Sequence, residues 1–234
     1  MPIPTVKKSL LLIGASRGLG YAMAEEFLQH GWRVVGTVRG PARTKLHDLA
    51  QTASGQIEIE SVDITVPDQI AALRARLTGR EFDMLFVNAG VTNNPNETLG
   101  EVTTEEFVRV MVTNALSPMR VVEALHDLVS PDGTIGVMSS GQGSVTNNTG
   151  GMREVYRGSK AALNTFMRSF AARHAGDARA MVLMAPGWVR TDMGGPEGRL
   201  SIEESIPSLV RTLLALQGKP GLQYLDYLGR TVPW

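Results

Sequence analysis

A doubly wound α/β fold, with a parallel sheet covered by helices on both faces in three α/β/α layers, is the architecture this sequence predicts, on three observations. Short apolar runs alternate with helix-period segments along most of the chain. Runs such as Leu-Leu-Leu-Ile at 10–13 and Met-Leu-Phe-Val at 84–87 are apolar on both faces, as strands buried between two helix layers must be. The first run ends in a glycine-rich turn that leads straight into a helical pattern, the arrangement with which doubly wound folds begin.

In chain order, the strand at 10–13 precedes a helix over 19–30, the strand Arg-Val-Val-Gly-Thr-Val at 33–38 precedes a helix over 42–52, and a strand over 57–62 precedes a helix over 68–77. The second half continues with a strand over 84–88, helices near 104–116 and 118–129, a strand over 134–139, a long helix over 156–174 and a strand over 180–185. No repeat period, low-complexity stretch or linker separates two folding units, which predicts one domain over residues 1–234.

A chain of 234 residues buries roughly 70% of its unfolded surface, so neither metal nor disulfide is needed to hold it together. The absence of cysteine removes disulfides, thiolate nucleophiles and Cys-ligated zinc together. Basic and acidic side chains balance at 23 each, leaving no whole-molecule field to draw the protein to nucleic acid or an acidic membrane. Pro2, Pro4, Lys7 and Lys8 precede an apolar run too short for a secretory core or a membrane span, so a soluble, cytoplasmic protein is expected.

The first strand ends in Gly14-Ala-Ser-Arg-Gly18-Leu-Gly20 and opens a helix. Glycines there permit positive φ and close backbone approach, while free N–H groups and the positive end of the helix dipole receive a pyrophosphate. Such turns also occur without a ligand; the strand-to-helix context makes this one a dinucleotide candidate. Enzymes that take NAD place an acidic residue at the end of the second strand, and here no carboxylate stands between Gly36 and Arg43. Arg39 at the strand end and Arg17 in the glycine loop can instead approach a 2′-phosphate, which favours NADP(H); the alternative is two ordinary solvated charges. Asp63, after the third strand, meets an adenine amino group or caps a turn.

Tyr156-Arg-Gly-Ser-Lys160 puts a phenol and an ammonium four residues apart on a helix, hence on one face. A phenol titrates near pH 10 unperturbed, and a nearby cation stabilises its phenolate and moves it toward the working range. By itself this pairing is a common accident; its neighbours raise its weight. Gly133-Thr-Ile-Gly-Val-Met-Ser139-Ser140 is a buried strand ending in two hydroxyls, of which Ser140 is the better placed for a substrate carbonyl. Asn88-Ala89-Gly90 closes the fourth strand with a small-residue turn, and Asn114 sits in a helix its propensity does not favour. Downstream, Pro186-Gly187-Trp188-Val189-Arg190-Thr191 forms a turn whose backbone and Thr191 hydroxyl are suited to clasp a carboxamide.

Together and in this order, these motifs resemble the short-chain dehydrogenase/reductase family, with its Rossmann-like fold, from Ser9 to about Met193. In that family the glycine trio corresponds to Gly14, Gly18 and Gly20, the turn after the fourth strand to Asn88, Ala89 and Gly90, and the catalytic tetrad to Asn114, Ser140, Tyr156 and Lys160. The resemblance implies that Lys160 also holds the nicotinamide ribose, that Asn114 keeps a water for a proton relay, and that Val189 and Thr191 contact the carboxamide. It further implies cofactor contacts at Ser16, Leu19, Ile64, Pro186 and Gly187. The segments after Ala185 and from Asp226 to Trp234 look like the compact carbonyl-reductase branch that includes Sniffer and CsgA-like proteins. Ile13 stands where the family usually has Thr, Val87 where it has Asn, and the stretch between Ser140 and Tyr156 is longer than usual, within 145–153.

The expected activity is NADP(H)-dependent hydride transfer to a small-molecule carbonyl, with a homodimer or homotetramer as the expected assembly. A dinucleotide-responsive regulatory protein is the rival, although a pure binder has no chemical need for Ser140, Tyr156 and Lys160 together. Loops 92–100, 141–153 and 194–201 shape the pocket and carry no charge pattern that selects a substrate.

Overall fold

The computed structural model describes residues 7–234; residues 1–6, with Pro2 and Pro4 of the N-terminal segment and the start of the expected domain, lie outside the described residues. Seven strands form one sheet: β1 (Ser9–Ile13), β2 (Arg33–Val38), β3 (Ile57–Ser61), β4 (Phe82–Val87), β5 (Val129–Met138), β6 (Ala180–Ala185) and β7 (Gly221–Asp226). Their order is β3-β2-β1-β4-β5-β6-β7, and every neighbouring pair is parallel. The helices are α1 (Gly18–Gln29), α2 (Lys45–Thr52), α3 (Pro67–Arg76), α4 (Thr104–Met111), α5 (Ser117–Leu125), α6 (Glu154–Arg173) and α7 (Ile202–Leu214).

Side chains alternate between two cores because a strand repeats every two residues. Along β1, Leu11 and Ile13 join Leu73 of α3, Val121 of α5 and Leu163 of α6, whereas Leu10 and Leu12 join Met23 and Phe27 of α1, Leu46 of α2 and Leu209 of α7. The same split divides Met181 and Leu183 from Ala180 and Val182 on β6. Both faces of each central strand are therefore dry, and each buried Leu or Ile contributes about 1.5–3 kcal/mol. That is the physical content of the doubly apolar runs.

Most boundaries fall within a residue or two of the expected ones, and the exceptions have local causes. The helix expected from 42 starts at Lys45 because Thr44 caps it: its backbone N–H donates to His47 Nδ1 at 3.1 Å. Strand β5 begins earlier than 134, pairing first at Phe82↔Val129 and resuming at Met84↔Thr134 after an irregularity. The helix expected over 104–116 is α-helical only to Met111 and then widens into a π-helical turn, Val112–Leu116. Beyond 185 the periodicity reading assigned no element, yet α7 and β7 lie there. A capping box opens α7, with Ser201 Oγ accepting from Glu204 N and Glu204 Oε2 accepting from Ser201 N.

Gly136 lies mid-β5 against Phe86 of β4 and Val182 of β6, and a Cβ added there would meet Phe86 Cδ2 at 2.5 Å and Val182 Cγ1 at 3.1 Å. Both neighbours are held in a packed core. Gly136→Ala is expected to reduce unfolding free energy by about 1–3 kcal/mol through overpacking, read as a lower urea midpoint at unchanged slope.

Candidate active site

Parallel pairing places every strand's carboxyl end along one edge, and β1, flanked by β2 on one side and β4 on the other, marks the point where the chain order reverses. The glycine loop leaves β1 at this crevice. Gly14 has φ +88° and a Cβ there would lie 2.9 Å from Ala89 N; one on Gly20 would lie 2.0 Å from Gly14 O and 2.6 Å from Asn88 Nδ2. Asn88 Nδ2 donates to Gly14 O at 2.8 Å, and Gly14 N donates to Thr37 Oγ1 of β2 at 2.9 Å. The loop is thus braced from β2 and β4 despite Ile13 and Val87. Arg17 occupies the N-cap position of α1, no side chain caps the helix and no acidic residue stands in its first turn. These uncapped N–H groups, in a cradle that a Cβ would fill, fit a pyrophosphate.

At the end of β2, Arg39 is exposed and makes no ion pair among the described residues. Arg17 is paired with Asp192 at 2.6 Å, but the two side chains are 74% and 80% exposed, so the pair is worth at most about 1 kcal/mol and yields readily to a phosphate. Asp63 Oδ1 accepts from Thr65 N at 2.9 Å and Thr65 Oγ1 at 2.7 Å, so it does cap a turn. Ile64 turns its side chain into the core, and only its backbone is left to face a ligand. Ser16 and Leu19 are half-buried beside the glycines.

Tyr156 and Lys160 lie one turn apart on α6 and face the end of β5, with Lys160 Nζ 5.9 Å from the centre of the Tyr156 ring. Lys160 is buried and donates to Met138 O at 2.9 Å. Of the two hydroxyls ending β5, Ser139 turns inward to donate to Asn164 Oδ1 at 2.6 Å, leaving Ser140 to face Tyr156. Ser140 Oγ accepts from Gln142 N at 3.1 Å, opening a single 3-10 turn, Gly141–Gly143. Asn114, fully buried in the π-helical turn, accepts from Val91 N at 2.8 Å and donates to Val91 O at 2.8 Å and Ser159 Oγ at 3.0 Å. Ser159 in turn donates to Tyr156 O at 2.7 Å. Gly90 lies between these groups, where a Cβ would approach Asn114 Oδ1 to 3.3 Å and Lys160 Nζ to 3.6 Å.

The turn after β6 is locally tied. Ser205 of α7 donates to Pro186 O at 2.7 Å, Gly187 has φ +85°, and Val189 is buried in a bridge to Leu200. Thr191 Oγ1 accepts from Gly194 N at 3.0 Å and donates to Val189 O at the longer distance of 3.5 Å, the weaker of its two contacts. Sequence reasoning missed Ser159, Asn164 and Tyr224. A signal existed for Asn164: it follows Lys160 by one helical turn beside the buried Leu163 and Met167, where a polar residue needs a partner.

Burial raises the Tyr156 pKa above its ordinary value; the Ser140 hydrogen bond and the Arg153 cation oppose the rise, and Tyr224 adds to it. Lys160 is not among the groups that set it, so the expected lowering of the phenol by that ammonium is not the dominant effect here. Burial also pushes Lys160 down, from the ordinary 10.5 to about 8.

Residues 8–199 match the family model described as short chain dehydrogenase. A short-chain dehydrogenase/reductase from Burkholderia multivorans, solved with NADP bound, is 64% identical and superposes with a TM-score of 0.97 over 98% of this chain and 100% of its own. A carbonyl reductase from Pseudomonas aeruginosa PAO1, solved in complex with NADP, is 33% identical with a TM-score of 0.90, covering 98% of this chain and 100% of its own. C-signal of Myxococcus xanthus is 36% identical over 154 residues, which is 65% of this chain and 92% of that protein.

Between pH 8 and 10.5 the unfolded chain keeps the Lys160 proton that the folded chain has released, so the buried ammonium costs stability in full below about pH 8 and less as pH rises. Lys160→Met is therefore expected to be more stable than the wild type at pH 7, by about 2 kcal/mol after the lost bond to Met138 O is deducted, with the gap closing toward pH 10. Urea unfolding at the two pH values measures it; a variant no more stable at pH 7 would contradict the burial cost.

Proposed function

This chain belongs to the short-chain dehydrogenase family, and on that premise we propose that it is an NADP(H)-dependent oxidoreductase acting between a small-molecule carbonyl and its alcohol. The observation that carries the reading is Tyr156 facing Ser140 at the carboxyl edge of the sheet, one helical turn from a buried Lys160. The glycine loop and the turn after β6 would hold NADPH in the crevice, where it would supply a hydride to a carbonyl carbon. Tyr156 holds the proton at Oη: its raised pKa keeps the phenol protonated at neutral pH, ready to donate as charge develops on the carbonyl oxygen. Ser140 polarises that oxygen through its hydroxyl. Lys160 spends one N–H on Met138 O and has its others for ribose hydroxyls. Asn114 fixes the Val91 peptide and Ser159 behind the tyrosine, and the relay water that family membership implies belongs beside it.

NADP(H) over NAD(H) is supported by the exposed Arg39, by the absence of a carboxylate between Gly36 and Arg43, and by the NADP found in both solved relatives. The glycine trio, Asn88, Ala89, Asp63 and the turn from Pro186 to Thr191 complete the proposed cofactor contacts. Residues 1–234 are read as one domain, since one sheet runs from β1 to β7. We further propose a homodimer or homotetramer joined through the long helices, where Leu116 and Phe166 stand 40% and 44% exposed, and a cytoplasmic location, where a cysteine-free chain forgoes no disulfide.

A dinucleotide-responsive regulator, a reading favoured by the likeness to C-signal, would gain nothing from a lysine whose burial costs stability. Tyr156→Phe decides between the two: turnover on a carbonyl panel should fall by about 10² or more with NADPH affinity nearly unchanged. Wild-type protein that shifts NADPH fluorescence but oxidises none of it would support the regulator.

Cofactor choice is tested by paired titrations with NADPH and NADH at fixed ionic strength. A preference of at least about tenfold for NADPH is expected, from one or two charge-assisted bonds. Arg39→Asp should reverse it by adding repulsion, whereas Arg17→Ala should only reduce it. Equal affinities in the wild type would show that the 2′-phosphate is not recognised.

A further inference from the structure

Ser140 is held on its side-chain side by Gln142 N and on its carbonyl side by two donors. Gly143 N reaches Ser140 O at 2.9 Å within the 3-10 turn, and the Tyr224 hydroxyl donates to the same oxygen from outside it. Tyr224 belongs to β7, two strands away from β5: it stands opposite Leu183, which stands opposite Val137. Its ring is 2% exposed in the core beneath α6, and phenylalanine would fill that volume equally well. The hydroxyl therefore needs a reason beyond packing.

We infer that Tyr224 is a positioning residue for Ser140, holding the Ser140–Gly141 peptide so that the serine hydroxyl stays aimed at Tyr156. Rotation of that peptide would take Ser140 O off Gly143 N and shift the backbone that brings Gln142 N to Ser140 Oγ, and among the described residues Tyr224 is the only donor to the carbonyl that lies on a different element. The same tyrosine is held in its turn. Val232 N donates to Tyr224 O at 2.8 Å, the Trp234 ring packs on it at 5.5 Å, and Trp234 O accepts from Thr146 N at 3.1 Å and Thr146 Oγ1 at 2.6 Å. Through these contacts the segment after β7 clasps the long loop between Ser140 and Tyr156 to the anchor of the serine.

The inference rests on the proposed role of Ser140, and a double-mutant cycle separates the two. Tyr224→Phe keeps the ring and is expected to lower kcat about three- to tenfold with KM for NADPH unchanged, the effect of one hydrogen bond. In a Ser140→Ala background the same change should alter residual kcat by less than about twofold, because the group it positions is gone. Amide hydrogen exchange should quicken across 140–146 in Tyr224→Phe while β1 and α1 keep their protection. An equal loss of kcat in both backgrounds, or none in Tyr224→Phe alone, would overturn the inference. Wild-type protein without carbonyl turnover would overturn the proposed function instead, and unchanged exchange would then overturn the anchor as well.

Discussion

Parallel pairing is the constraint from which the rest of this protein follows. Seven strands that all run the same way must each be joined by a crossover, so helices cover both faces and every turn leaving a strand's carboxyl end falls on one edge. Gly14, Arg39, Asp63, Asn88, Ser140 and Gly187 are far apart in sequence, yet each stands just after a strand. The sheet brings them together without any of them needing to contact the others during chain collapse. The backbone groups exposed at this edge, above all the uncapped start of α1, are what a phosphate-bearing ligand completes.

Two features that cost stability lie at the same edge. A buried ammonium displaced to about pH 8 and a left-handed backbone at Met152 and Arg153, φ +56° and +57°, both stand within one or two helical turns of Tyr156. Left-handed conformation at residues other than glycine costs on the order of 1–3 kcal/mol each and persists only when surrounding contacts impose it. Here they do: Arg153 N donates to Pro95 O at 3.3 Å, and Glu154 Oε2 accepts from Leu99 N at 2.7 Å, knitting loop 92–100 to the start of α6. Two dry cores on either side of the sheet carry the cost. The site spends stability to hold a cation and a phenol at fixed orientation in a partly dehydrated crevice, where their interactions are strongest.

Much of this was legible in residue order. Doubly apolar strands, the glycine spacing and the Tyr156/Lys160 separation each have a local geometric meaning, and six of the seven strands and six of the seven helices stand close to where the pattern put them. Helix α7 and strand β7 were missed although Ser201 and Glu204 carry a capping box, because Pro207 interrupts the helical pattern and β7, at the sheet edge, is only partly buried and lacks a doubly apolar run. Asn114 was noticed as an ill-suited helix residue, but its explanation lay elsewhere. The helix widens into a π turn so that the carboxamide can pair with both polar groups of Val91, a residue 23 positions away.

The division between the two sources of information is physical. Periodicity, turn chemistry and i,i+4 spacing are local properties, so the order of residues alone determined the doubly wound class, the edge on which the site lies, and the phenol and ammonium that share a helix face. What burial does to a charge depends on atoms brought in from distant elements, and only the folded chain decided that. The tertiary structure turned Ser139 inward and left Ser140 facing Tyr156, made burial rather than Lys160 the dominant influence on the phenol, paired Arg17 with Asp192 while leaving Arg39 exposed, and set the Tyr224 hydroxyl against the Ser140 carbonyl across an intervening strand.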